Sequence, residues 1–235
     1  MLTIRSLLYV ALFYIWSVFW VLLISPLMLG PRRWMVNSWR IWSAVLMGLL
    51  WLVCGVKVEL RGKQFIPKGA ALIAPKHHCM LDVFAQFAWL PDSCFVTKKE
   101  LMWIPFFGWY AWKARMIAVD RAGQATALRK MVAEAKVRFA GGRQLVIFPE
   151  GTRGEPGVPG DYKPGIAALY RELDVEVVPM ATNAGVHWPA HGFKRRPGTI
   201  VYEYLEPIPP GLKRAEFMRI LQERIETASM ALLPL

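Results

Sequence analysis

Cysteine is scarce in this chain, and the scarcity excludes two classes at once. Of 235 residues only three are cysteine, at positions 54, 79 and 94. An odd number of widely spaced thiols offers no disulfide framework, and no CxxC pair marks a zinc site. A reducing compartment is expected. Histidine is nearly as rare, with four residues. His77, His78, Cys79 and Asp82 are ligand types close together, but His187 and His191 lie far along the chain. No metal is therefore expected. Acidic residues are few, 17 against 29 basic ones, for a formal net charge of +12. That balance calls for an anionic partner. The basic residues are not gathered in one tail, which argues against nucleic acid. No internal repeat or low-complexity tract is visible.

Charge is missing altogether from residues 6–31, and about 20 apolar residues suffice to span a bilayer. A cleaved secretory signal is the alternative reading. No small-residue cleavage site follows, however, and a second apolar run does. That run, residues 41–56, is roughly 24 Å long as a helix, short of a ~30 Å hydrocarbon core. Arg32, Arg33 and Arg40 sit between the two runs. A full crossing would set that basic turn opposite Arg5 and the basic main body, against the positive-inside tendency. The expectation is a helical hairpin, residues 1–55, lodged in one leaflet. Trp16, Trp20, Trp34, Trp39, Trp42 and Trp51 would lie near the interface. A two-pass anchor is the alternative. An anionic membrane surface then meets the demand of the net charge.

Residues 56–235 read as a separate α/β unit. Short apolar or alternating runs predict strands at 57–62, 70–75, 93–97, 115–119, 144–148, 176–182 and 199–205. Helical patterns fall at 83–90, 123–140, from 163 onward and at 213–232. Strands alternating with helices predict a mostly parallel sheet flanked by helices. Residues 101–110 are strongly aromatic and read either as core or as a membrane-facing lip. Residues 151–164 are rich in Gly and Pro and have no periodicity.

Two stretches carry chemistry. The first is Lys76-His77-His78-Cys79-Met80-Leu81-Asp82, between a strand and a helix. On a continuous helix His77 and Asp82 would point about 140° apart. On a strand–turn–helix corner they can meet, with the carboxylate in the first helical turn, where negative charge is favoured. A carboxylate that accepts from one ring nitrogen leaves the other free as a base. The alternatives are a structural His capping a loop and an acyl-carrying Cys79. The second stretch, Phe148-Pro149-Glu150-Gly151-Thr152-Arg153, follows another strand. A glycine turn with a guanidinium is a candidate anion site. In open parallel sheets ligands collect beyond the carboxyl ends of strands, where both stretches fall.

Together these stretches resemble the glycerolipid acyltransferase family, whose signatures are H-x4-D and F-P-E-G-T-R. His77-x4-Asp82 fits the first and residues 148–153 fit the second unchanged. Lys98-Lys99-Glu100-Leu101 with Ile104-Pro105-Phe106-Phe107-Gly108-Trp109, Val119-Asp120-Arg121 and Val178-Pro179-Met180 resemble further family blocks, in order. The likeness covers roughly residues 56–210 and is greatest to bacterial lysophosphatidate acyltransferases. Cys79 stands where the family usually has Ser, and Arg115 and Ala118 where it usually has Gly and an aromatic.

The resemblance implies acyl transfer from acyl-CoA or acyl carrier protein to the sn-2 hydroxyl of 1-acyl-glycerol-3-phosphate, giving phosphatidate. It implies His77 as general base and Asp82 as its orienting partner. Lys98, Arg121, Glu150, Gly151, Thr152 and Arg153 would form the substrate site, with Arg153 on the acceptor phosphate. Glu150, being acidic, would orient Arg153 or an acceptor hydroxyl. No cofactor is implied beyond the acyl donor as co-substrate. The implied setting is a bacterial inner membrane, with the catalytic unit on the cytoplasmic side. Another acceptor, such as a lyso-ornithine lipid or another lysophospholipid, is the alternative. A non-enzymatic lipid-binding protein would not need an oriented base.

Overall fold

The computed structural model describes residues 1–120 and 123–234. Two long helices come first, α1 (Leu2–Leu23) and α2 (Arg32–Cys54). Gly55, in the left-handed conformation, ends α2 and feeds the first strand, β1 (Val56–Arg61). Six more strands follow: β2 (Ala71–Pro75), β3 (Ser93–Lys98), β4 (Ile117–Val119), β5 (Gln144–Val146), β6 (Val177–Thr182) and β7 (Gly198–Tyr204). Each lies where the apolar runs place one.

The strands form one sheet in the order β1-β7-β6-β2-β5-β3-β4. The pairs β2–β5, β2–β6, β3–β5, β3–β4 and β1–β7 are parallel. Only β6–β7 is antiparallel, so β1 and β7 run against the other five. Periodicity marks a strand but does not give its direction. All residues of β2 and β6 are buried, as expected for strands covered on both faces. The predicted strand at residues 57–62 belongs to the edge, beside β7.

Helices cover both faces. On one side α5 (Gln124–Ala140), α6 (Pro164–Leu173) and α8 (Arg214–Ala231) pack against the strands and one another. The buried stripe of α8 is Phe217, Leu221, Ile225 and Ser229, at a spacing of four. On the other side α3 (Leu81–Trp89) packs against α2, and α2 against α1. Two short helices complete the set, α4 (Phe107–Lys113) and α7 (Ala184–His187).

The hairpin is part of this packing rather than an appendage hanging free. Trp39 stacks edge-on against Phe87, with ring centroids 4.7 Å apart. Arg32 holds Asp92 through two 2.6 Å hydrogen bonds. Arg195 backbone N–H donates to Ser6 of α1 at 2.8 Å. Buried positions run along α2 from Met35 to Cys54. By contrast α1 leaves Ile4, Leu8, Ile15, Phe19, Leu22 and Leu23 exposed. Both helices are long and apolar enough to cross a membrane, by length and composition.

Candidate active site

The turn after β2 carries His77, and α3 begins four residues later. Asp82 falls in the first turn of α3 and folds back over the corner. Its Oδ2 lies 3.0 Å from His77 Nδ1. The same oxygen accepts the backbone N–H of His78 at 2.6 Å and of Cys79 at 2.7 Å. Oδ1 accepts the Tyr202 hydroxyl of β7 at 2.8 Å. Asp82 is fully buried. Burial works to raise its pKa, but the His77 bond, the neighbouring imidazoles and the backbone donor outweigh it. The carboxyl is held below its ordinary value. A carboxylate so held accepts from Nδ1–H and leaves Nε2 as the lone-pair nitrogen. Among the described residues Nε2 has no protein partner.

The second motif lies directly against this corner. The Phe148 ring stacks on the His77 imidazole, with centroids 4.0 Å apart and planes 21° apart. Glu150 Oε2 accepts His77 backbone N–H at 2.8 Å. Gly154 N–H donates to His77 carbonyl oxygen at 2.8 Å. Gly151, at φ 67°, makes the turn that allows this return, a conformation open to glycine at little cost. Thr152 and Arg153 are exposed at the mouth. Among the described residues no carboxylate pairs with Arg153. β2, β5, β3 and β4 are adjacent and parallel. His77, the Glu150 loop and Lys98 therefore follow neighbouring strands at one end of the sheet, beyond their carboxyl ends. Lys98 is exposed there, 3.7 Å from Glu100. Arg121 lies outside the described residues.

Glu150 is the buried acidic residue of its loop. It is 2 % exposed, and its carboxylate turns inward, away from Arg153. Oε1 lies 2.8 Å from Lys76 Nζ. Lys76 is 1 % exposed and also bonds both oxygens of Glu226 in α8, at 2.7 and 2.8 Å. Tyr162 hydroxyl donates to Glu226 at 3.2 Å. A Cβ added at Gly160 would sit 2.5 Å from Glu150 Cγ, so glycine closes the loop over this network. Burial pushes the Glu150 carboxyl above its ordinary range, and Lys76 opposes the rise. Glu150 thus positions His77 backbone while Arg153 is left free outside.

Sequence reasoning missed Lys76, Glu226, Tyr202 and the stacking of Phe148. Tyr202 shows only as one aromatic of an alternating strand, and Glu226 as one acid on an amphipathic helix. His78 and Cys79 are sorted by burial. Burial lowers the His78 pKa to about 4, and its Nδ1 accepts Gly185 N–H at 3.3 Å. It is neutral at pH 7 and turned from the site mouth. Cys79 is fully buried, 3.6 Å from Asp82 Oδ1, and burial raises its thiol well above the ordinary value. A thiol so placed is a poor nucleophile. Cys79→Ser is expected to keep turnover near that of the parent; loss of turnover with retained folding would restore the covalent route.

Residues 57–183 match the family model described as Acyltransferase. The chain belongs to the Acyltransferase family. This acyltransferase is 34 % identical over 171 residues to a Pseudomonas aeruginosa 1-acyl-sn-glycerol-3-phosphate acyltransferase, a stretch covering 72 % of the chain and 64 % of that protein. The chain thus spans under two thirds of that relative's length. A Helicobacter pylori protein of the same name is 30 % identical over 180 residues, covering 73 % of each chain. The fold is shared with the crystal structure of the 1-acyl-sn-glycerophosphate (LPA) acyltransferase PlsC from Thermotoga maritima. The TM-score there is 0.81, with 20 % identity and 99 % of both chains covered.

Proposed function

We propose that this acyltransferase moves a fatty acyl group from acyl-CoA or acyl carrier protein to the sn-2 hydroxyl of 1-acyl-glycerol-3-phosphate, giving phosphatidate. The observation that carries the reading is the His77–Asp82 pair, with Nε2 free, beside an unpaired Arg153 at the same end of the sheet. The names of the relatives support the acceptor.

In this mechanism His77 Nε2 takes the proton of the acceptor hydroxyl. The oxygen attacks the thioester carbonyl and a tetrahedral intermediate forms. Collapse breaks the C–S bond, and the imidazolium returns its proton to the departing thiolate. Asp82 keeps the tautomer and stabilises the imidazolium. Arg153, with Lys98 and Arg121, holds the acceptor phosphate, a dianion suited to a planar guanidinium. Arg153→Ala is expected to raise the KM for lysophosphatidate roughly tenfold to a hundredfold, the worth of a charge-assisted hydrogen bond. The kcat should change little. A fall in kcat at unchanged KM would move Arg153 from acceptor binding to the chemistry.

The deciding assay gives purified protein a labelled acyl donor and a panel of lyso-lipids. Lysophosphatidate should be acylated well above lyso-ornithine lipid and neutral lysophospholipids. A preference for an acceptor without a phosphomonoester would overturn the reading.

The hairpin is placed in one leaflet of a bacterial inner membrane, with the sheet on the cytoplasmic side. Support comes from α2, one face of which is buried in the fold from Met35 to Cys54, and from the apolar outer face of α1. A helix packed along one face against a polar domain cannot cross hydrocarbon without carrying that domain with it. The free cysteines, all buried, fit the reducing side. Asn37 is exposed near the start of α2. In intact cells Asn37→Cys should resist a membrane-impermeant thiol reagent; labelling from outside would favour a two-pass anchor.

A further inference from the structure

The segment after β3 leaves that end of the sheet with its aromatics outward. Residues Lys99–Trp103 form a 3-10 turn, and Ile104, Pro105 and Phe106 lead into α4. Trp103 is 83 % exposed, Trp109 56 % and Trp112 70 %. These are among the largest side chains, and water gives them no return for exposure.

The backbone shows that this presentation is built in. Phe106 sits at φ 63°, ψ −54°, a region that side-chain-bearing residues rarely adopt. A Cβ on Gly108 would lie 1.9 Å from Met102 carbonyl oxygen, so the turn closes tightly on glycine. The inner face of α4 is anchored. Tyr110 and Ala111 are buried, and Tyr110 hydroxyl donates to Val21 carbonyl oxygen of α1 at 2.6 Å. Phe106, Trp109 and Trp112, three residues apart, lie on the outer face, with Phe106 and Trp109 rings packed edge-on 5.0 Å apart. A rigid helix therefore holds its aromatic stripe in solvent.

Two observations name the occupant. The Tyr110–Val21 bond seats the ridge beside the last turns of α1, where Phe19, Leu22 and Leu23 are exposed. The ridge thus continues the apolar face of the hairpin. Lys98, Lys113 and Arg115 flank it, and Glu100, 3.7 Å from Lys98, is the one carboxylate in the sequence between them. Tryptophan beside lysine and arginine is the composition of a surface that meets headgroups, since the ring is apolar and its N–H is not. Basic residues near the surface add attraction to anionic lipid.

We propose that residues 101–112 form a second membrane-contact element, an interfacial aromatic ridge that seats the catalytic end of the sheet on an anionic phospholipid leaflet. The proposal rests on the hairpin lying in the same leaflet. Its consequence is lateral substrate access. The ridge follows directly on Lys98, at the end that carries His77. A lysolipid can then reach the base without its chain leaving the bilayer.

The native cysteines are all buried, so one introduced surface thiol can carry a fluorophore. Trp112→Cys, labelled with an environment-sensitive dye, is added as full chain to vesicles of phosphatidylethanolamine and phosphatidylglycerol. A blue shift with quenching by brominated lipid is expected. The same dye on Val137→Cys, exposed on α5, should not shift. Trp103→Ser/Trp109→Ser/Trp112→Ser should lose at least tenfold in rate on vesicle-embedded long-chain acceptor, and keep its rate on a monomeric short-chain acceptor. Equal losses on both acceptors would make the ridge structural and overturn the proposal. A chain that binds vesicles while the dye at 112 stays in water overturns the ridge alone. Failure of the parent chain to bind vesicles brings down the hairpin reading and the ridge with it. A shift without vesicles that grows with protein concentration would assign the face to a second copy.

Discussion

His77→Ala lowers kcat by about a thousandfold, within the range that a positioned general base supplies, and leaves the protein folded. The imidazole, unlike the buried ring of neighbouring His78, is oriented and partly open to the site mouth. Its Nδ1 is tied to Asp82, and Asp82 takes two further backbone donors and the Tyr202 hydroxyl. Alanine removes the base without disturbing that carboxylate's bonds to the His78 and Cys79 backbone, the Cys79 thiol and Tyr202, so folding should survive. Asp82→Asn should lower kcat in the same direction, because an amide nitrogen turned toward Nδ1 cannot accept from it. Its stability should fall as well, since the backbone N–H groups of His78 and Cys79 lose an ionised acceptor. Single-turnover rates at saturating donor, with a thermal melt in the same detergent, separate the two effects. Near-normal kcat in His77→Ala would remove the imidazole from the reaction.

Lys76→Met should be strongly destabilising. Its ammonium lies 1 % exposed between Glu150 and Glu226, whose side chains are 2 % and 15 % exposed. Removing one member of a buried charge network costs about 3–5 kcal/mol, because the remaining charges lose their counter-ion. For a chain of this size that corresponds to a melting temperature lower by roughly 10 °C. The loss should depend on pH. The folded-state pKa of Glu150 already stands above its ordinary value through burial, with Lys76 opposing the rise. Without Lys76 it rises further. A carboxyl with a raised folded pKa binds more protons folded than unfolded, so stability is retained below about 4.5 and lost as pH increases above that value. The deficit of Lys76→Met against the parent should therefore widen from pH 5 to pH 8. Adding Glu226→Gln should recover part of it, because one of the two opposed charges is gone. A deficit that is flat with pH, or no recovery, would show that packing of the lysine stem matters more than its charge.

The positioning of the catalytic turn explains why the C-terminal helix matters to a site made by strands β2 and β5. Lys76 immediately precedes His77, and Glu150 holds the His77 backbone N–H. Glu226 fastens that pair to α8. The Glu150 loop is thereby strapped to the base, and Arg153 is presented one residue from the Gly154 bond to His77.

Whatever depends on neighbours within a few residues can be read from the chain alone. The seven strands follow from apolar runs bounded by Gly, Pro or charge, and the long helices from their stripes. The His77–Asp82 pair follows from a five-residue spacing across a corner. The Glu150 loop and its free guanidinium follow from composition after a strand. The packed fold alone sets β7 antiparallel to β6, because side-chain alternation is the same in either direction. It also decides that Lys76 meets Glu226 across 150 positions and Asp82 meets Tyr202 across 120. Such pairs have no local signature: they arise when packing of the whole chain leaves a buried charge or hydroxyl one available partner. α4, with seven residues, escaped for a related reason. A helix that short does not hold itself together, and its packing on α2 and the Tyr110 bond to α1 fix it.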